Sequence, residues 1–380
     1  MPAIAFFPWL KLEAQLAIGA VRLLPWERGA QPGDTSFATQ SDLDAVLAAY
    51  ADRPNVPRTS AVLLEINDWR TGMDADDALV SELFRVRDLV AFAALSKRTL
   101  FRGHFDYTNS DSYQLVVQRY ERDRASRFSF RTRRRDGEAS YTWGSDSYAF
   151  FIPHHVSSRQ SVDLDAPLLS VLTGAEIPQR MRDAIVDFNH ANTDSPDVQT
   201  HVELIRAKTS MEWLFNIGEK YQDLQRKLRE LLPPQLEIAG PLRERWQSQY
   251  PNATTLVEKW AQEFCIRRGM SAHASNRKSS QRVWSENAHL AFYSVLFPLL
   301  VKKVLAEEGK LKLDAYDGLR LQRLEAYLVR DPFEIDNAAA AEERWPWSEV
   351  DADMRMRCVG LILTEKFRRG QPDDLASEDD

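Results

Sequence analysis

Along the first 165 residues the apolar positions come in short clusters, and from residue 166 they recur at steps of three and four. The pattern alone divides the chain into a mixed part and a helical part. Runs at 6–12, 16–24, 60–66, 113–120, 127–133 and 148–152 are rich in aromatic and β-branched residues and bounded by polar or proline-containing breaks, which predicts strands. Two helices are predicted among them. Ser41 can cap the first, over 41–51, and Asp76 or Asp77 the second, over 78–101.

In the helical part, EIPQRMRDAIVDFNHANT (176–193) is amphipathic, and Val198, Val202, Ile205, Thr209, Trp213, Asn216 or Ile217, Tyr221, Leu224, Leu228 and Leu231 then mark one long helix that Pro233 and Pro234 stop. Leu256, Trp260 and Phe264 recur four apart, which predicts a helix over 255–269 with one apolar face. A further helix over 281–308 contains Pro298, which should kink it. Four helices with short connections make an antiparallel bundle the economical architecture, with Trp213 and Trp260 in its core and His289 and Tyr293 as packing or groove residues. Beyond it, helices are expected over 314–328 and 349–368, separated by a loop with Asp331 and Pro332. The last residues, GQPDDLASEDD, hold five acids and no base, the composition of a disordered tail. The fold class is therefore α+β: a mixed α/β domain over 1–165, a helical domain over 166–310 and a helical extension over 311–380.

Composition sets outer bounds. At 380 residues the chain exceeds one typical core, and 44% hydrophobic with 28% charged residues is ordinary for a globular protein. The net charge of -7 does not favour nucleic acid as a partner, but a local basic patch can still bind phosphate. Cys265 and Cys358 form no CxxC pair, which excludes a disulfide framework and a cysteine zinc site and makes a reducing cytoplasm the expected location. The apolar start, MPAIAFFPWLKLEAQLAIG, has no positive leading segment and is interrupted by Pro8, Lys11 and Glu13, so it reads as a buried strand rather than a signal peptide. No uninterrupted run of 18 apolar residues occurs, and no membrane contact is expected.

Candidate chemistry starts with arginine. Eight Arg lie between Arg119 and Arg135 against two acids, Glu121 and Asp123. Strand geometry alternates Phe128 and Phe130 with Arg127, Arg131 and Arg133; with Arg134 and Arg135 these make either the solvated face of a hairpin or a surface for nucleic-acid phosphates. His154 and His155 follow Pro153, and adjacent strand residues face opposite ways, so a shared metal is not expected and a structural or surface role is. His104 and Asp106 read as loop or strand-end residues. Neither a G-x-S-x-G nor a P-loop motif is present.

At the end of the 255–269 helix stand Arg267 and Arg268, and after four intervening residues comes His273. An arginine can hold phosphate oxygens bidentately and a histidine can move a proton near neutral pH, which together suit phosphate chemistry. The bland alternative is an arginine paired with Glu263 or Glu212 and a histidine that caps the helix end.

The order of FNHANTD, the helix HVELIRAKTSMEWLF, then WAQEFCIRRGMSAHAS and a closing apolar helix resembles the HEPN domain, in its Apea-like branch, over about residues 176–308. The resemblance aligns Ser210, Met211 and Glu212 with the family's first motif, and Arg268 and His273 with its Arg, four to six residues, His motif. Gly269 and Ala274 stand where members carry a polar residue and a glycine, and Phe264 and Cys265 where a tyrosine is common. It implies a metal-independent endoribonuclease without cofactor, cleaving RNA by 2′-OH attack, with tRNA as one candidate substrate and phage defence or a toxin role as its setting. Arg268 would stabilise the phosphorane and His273 transfer protons, with Arg267 and Glu212 in support. One histidine cannot serve both proton transfers, so a homodimer through the helical domain is implied. The alternative is a non-catalytic HEPN protein that dimerises and binds RNA or a nucleotide.

Overall fold

The computed structural model describes residues 1–30, 37–100, 107–121, 124–144, 149–157, 160–174, 176–235, 253–272, 283–333 and 345–368. They form two compact units, one of residues 1–99 and 103–214, the other of 100–102 and 215–380. The class is α+β.

The first unit is built on a seven-stranded antiparallel sheet in the order β2-β3-β6-β1-β7-β8-β9. Its strands are β1 (Ala3–Phe7), β2 (Leu16–Ile18), β3 (Val21–Glu27), β6 (Ser60–Ile66), β7 (Val116–Glu121), β8 (Arg124–Arg134) and β9 (Gly137–Gly144). The expected strand over 16–24 is a hairpin instead. Gly19 takes φ 58° between β2 and β3, a turn conformation in which glycine avoids a Cβ clash. A small sheet of β4 (Tyr50–Arg53), β5 (Val56–Pro57) and β10 (Phe150–Phe151) completes the strands.

All five residues of β1 are buried, as the alternate sets on a central strand must be when both sheet faces are covered. On one face, Ile4 and Phe6 join Leu24, Trp26, Leu63 and Tyr120 in a core closed by Leu43, Val46 and Leu47 of α1 (Gln40–Leu47) and by Tyr50. Thr39, not Ser41, caps α1, in a capping box with Asp42. On the other face Phe7 meets Tyr113 edge to face at 6.1 Å, in a short 3-10 turn (Ser110–Tyr113) that packs on α2 (Asp77–Leu95). As expected, Asp76 caps α2.

Helices α3 (Ala166–Leu172) and α4 (Gln179–His190) pack on α2, with Phe92 of α2 and Phe188 of α4 edge to face at 5.2 Å. The change of pattern at residue 166 is thus a change of secondary structure rather than of packing. The compact units part at Leu214/Phe215, inside the stretch expected to form one helical domain. The long helix expected over 198–231 is two: α5 (Thr200–Phe215) and α6 (Tyr221–Leu231). Asn216 leaves α5 at φ 50°, a left-handed conformation that ends a helix. Trp213 is 46% exposed rather than in a core, because α5 buries Leu204, Ala207, Met211 and Leu214 instead of the stripe through Val202, Thr209 and Trp213.

The second unit is helical: α6, α7 (Leu256–Ala272), α8 (Glu286–Glu307), α9 (Ala315–Gln322), α10 (Leu324–Leu328) and α11 (Pro346–Arg368). The helix expected over 314–328 is divided at Arg323, and Pro298 sits inside a continuous α8. Central to the unit is α7, which touches α6, α8 and α10. It is not one-faced: Trp260 and Phe264 stack at 4.8 Å in the core, and Val257, Glu258, Lys259 and Glu263 are buried as well. Glu258 ties α7 to α6, taking both arms of the Arg229 guanidinium at 2.9 Å while accepting from Thr254 N ahead of the helix. Although α8 is long and apolar enough to cross a membrane by length and composition, 78% of its apolar window is buried within the protein. The acidic tail lies outside the described residues.

Gly72 has φ 89°, and a Cβ there would meet Phe37 C and Ala38 N at 2.5 Å, where the chain turns into α1. Gly72→Ala is expected to lower stability by about 2 kcal/mol or more. Urea unfolding of the purified chain measures it.

Candidate functional site

The last turns of α7 carry the two arginines, and the interior of the second unit treats them differently. Arg267 is buried. Its guanidinium donates to Glu286 Oε1 at the start of α8 and to the Trp284 carbonyl, both at 3.4 Å. Arg268 is next in sequence and therefore rotated about 100° around the helix. It pairs with the exposed Glu219, NH1 lying 3.9 Å from Oε2, and its buried Nε has no hydrogen-bond partner among the described residues.

One turn before Arg267 lies a buried carboxylate that reaches the same junction. Glu263 is 3% exposed and accepts from Val283 N at 3.2 Å, from Trp284 N at 3.0 Å and from His289 Nε2 at 3.3 Å. Burial holds the His289 imidazole below its usual range, against the raising effect of Glu263, so the ring is neutral and Nε2 carries the proton donated to Glu263. Trp260, Phe264 and Trp284 surround that ring with centroids about 6 Å away. Enclosed in this way, His289 packs rather than reacts. The second half of α7 is thus locked to the start of α8 by Glu263 and Arg267, whereas Arg268 faces the exposed Glu219.

His273 lies outside the described residues. Glu212 belongs to the first unit, where its carboxylate accepts from the buried Lys208 Nζ at 2.7 Å. Of the arginine-rich stretch, β8 carries Arg127, Arg131, Arg133 and Arg134 in register with Gly144, Ser140, Glu138 and Gly137 of β9. Arg135 is exposed in the turn between these strands. The side chains along β8 lie outside the described residues, as do His104 and Asp106. Among the described residues no group of three or more His, Cys, Asp or Glu could hold a metal ion.

Sequence reasoning passed over a second polar site, inside the first unit. His155 Nε2 lies 3.3 Å from Asp111 Oδ2, which also accepts from the Thr193 hydroxyl and Asp194 N. These residues share a cavity with Arg87 of α2, Asn189 and His190 of α4, and Arg206 of α5. The histidine was visible in the sequence. Its partner, 44 positions away, was not.

No family model, curated protein or solved structure matches the chain.

Glu263→Ala would strip the acceptor from the buried Trp284 N–H, the part-buried Val283 N–H and the buried His289 ring, and is expected to cost about 3–5 kcal/mol. Glu263→Gln, which keeps the shape and one carbonyl oxygen, should lose less. Chemical unfolding of the two variants beside the parent chain separates these outcomes.

Proposed function

We propose that the protein is a metal-independent endoribonuclease of HEPN type, acting through Arg268 and His273 of its second unit. The observation that carries this reading is the contrast between the neighbouring arginines. A guanidinium held 3.9 Å from one exposed carboxylate, with Nε unpaired, can take phosphate oxygens without breaking the fold. Arg267 cannot do so without giving up Glu286 and the Trp284 carbonyl.

In the reaction, the 2′-OH of the substrate attacks the adjacent phosphorus, the bond to the 5′-oxygen breaks, and a 2′,3′-cyclic phosphate forms. Arg268 stabilises the added charge on the phosphorane oxygens, and His273 moves the proton to or from the reacting oxygens. A second copy of the chain supplies the second histidine, so the working form is a homodimer. RNA is the substrate, tRNA being one candidate, in a defence or toxin setting. Arg127, Arg131, Arg133, Arg134 and Arg135 are proposed to hold its backbone.

One observation favours a second reading. The HEPN-like stretch of residues 176–308 falls in both compact units, and Glu212 is engaged with Lys208. A non-catalytic protein that dimerises and binds RNA or a nucleotide would need no such constellation.

The test is purified protein incubated with total RNA in EDTA, followed by end-mapping. The ribonuclease reading expects cleavage that persists in EDTA, leaves 2′,3′-cyclic phosphate ends and is lost in His273→Ala. Cleavage that needs added magnesium contradicts it. RNA binding that is salt-sensitive, unaccompanied by cleavage and unchanged in His273→Ala supports the second reading instead.

A further inference from the structure

The cavity in the first unit has a volume of about 560 Å³, within the range of roughly 300–1,000 Å³ of small-molecule sites. Two helices bring guanidinium groups to it, and a third ends there in a histidine. Arg87 comes from α2 and Arg206 from α5, and His190 ends α4. Each arginine spends one described nitrogen on a carboxylate: Arg87 NH1 on Asp88 at 3.1 Å and Arg206 NH1 on Asp187 at 2.8 Å. A guanidinium has five N–H donors in a planar fork, so donors remain on both, and Arg87 Nε is buried with no partner among the described residues.

Opposite in character is the acceptor side. Asn189 is fully buried; its Nδ2 donates to the Asp88 carbonyl at 2.9 Å, while its Oδ1 accepts from nothing described. Unpaired buried polar atoms are uncommon in proteins, and His155 Nδ1 on the same cavity is another. Since Asn189 and His190 close α4, the negative end of that helix also favours hydrogen-bond donors here. Acid accumulates beyond it. Burial, with Asp194 and Asp111 nearby, raises Glu203 to about 7. Val198 and Val202 add an apolar wall.

We propose that this cavity binds a small phosphate monoester of mononucleotide size, its phosphate on Arg87 and Arg206 and its hydroxyl or amino donors on Asn189 Oδ1 and the α4 terminus. An amino acid would satisfy the same polarity but leave most of 560 Å³ to water. A mononucleotide fills it, its base against the valines. This ligand site belongs to the first unit and does not rest on the ribonuclease reading.

Calorimetric titration of the full chain with each ribonucleoside 5′-monophosphate (AMP, GMP, CMP and UMP) tests it, with the matching nucleosides and inorganic phosphate as separate probes. At least one monophosphate is expected to bind saturably at one site, with its nucleoside and phosphate alone each about tenfold or more weaker. Arg206→Ala should weaken binding about tenfold or more, and because it also strips the buried Asp187 carboxylate of this partner, its melting temperature is read alongside. Val202→Trp, at an exposed position on the wall, should block the cavity by bulk independently of charge. The proposal is overturned if none of the four monophosphates binds at millimolar concentration. It is equally overturned if binding is unchanged in both variants, or if the nucleosides bind as well as the phosphates.

Discussion

A buried carboxylate governs the second unit. Glu263 sits deep on α7 where an unpaired charge would be prohibitive, and it is tolerated because two backbone N–H groups and the His289 ring converge on it. Those backbone groups belong to Val283 and Trp284, immediately ahead of α8, so the interaction fixes how the chain enters that helix. Arg267, one turn further along α7, closes the same junction from the other side through Glu286 and the Trp284 carbonyl. Two successive turns of α7 are thereby committed to structure. The residue that follows, Arg268, inherits a fixed backbone and few partners, which is the condition for a preorganised cation.

The first unit rests on a different constraint. A central strand buried on both faces requires cover on both, and the chain supplies it from two directions in sequence. Residues around α1 close one face. On the other, the 3-10 turn under Phe7 packs on α2, and α3 and α4 pack on α2 in turn. The cavity proposed to bind a phosphate monoester arises where α2, the end of α4 and α5 surround the 3-10 turn and the segment after β10. Polar groups gather there because helix ends and loops expose backbone and charge that the sheet core cannot accept.

Much of this was legible in local pattern. The strand over 60–66 and the Asp76 cap follow directly from β-branched runs and capping chemistry. Less legible was the buried face of α5, where the stripe through Leu204, Ala207, Met211 and Leu214 also takes in Lys208 and Ser210, residues that do not look apolar, while the more conspicuous Val202 and Trp213 point out. Asn216 gave no sign that it would adopt a left-handed conformation and split the long helix. At the candidate site, the arginine pair was visible but its division of labour was not, since Glu286 and the Trp284 carbonyl lie 17 to 19 positions away. The His155–Asp111 contact was hidden for the same reason: pairwise geometry across distant segments leaves no periodic trace.

The measurement that bears most directly on this account is a side-by-side comparison of Arg267→Ala and Arg268→Ala for both unfolding free energy and RNA cleavage. If the account is right, Arg267→Ala loses roughly 2 kcal/mol or more of stability by leaving Trp284 and Glu286 unpaired, and Arg268→Ala melts like the parent chain but no longer cleaves. A variant pair in which Arg268→Ala cleaves as well as the parent, or in which Arg267→Ala is as stable as the parent, would contradict it.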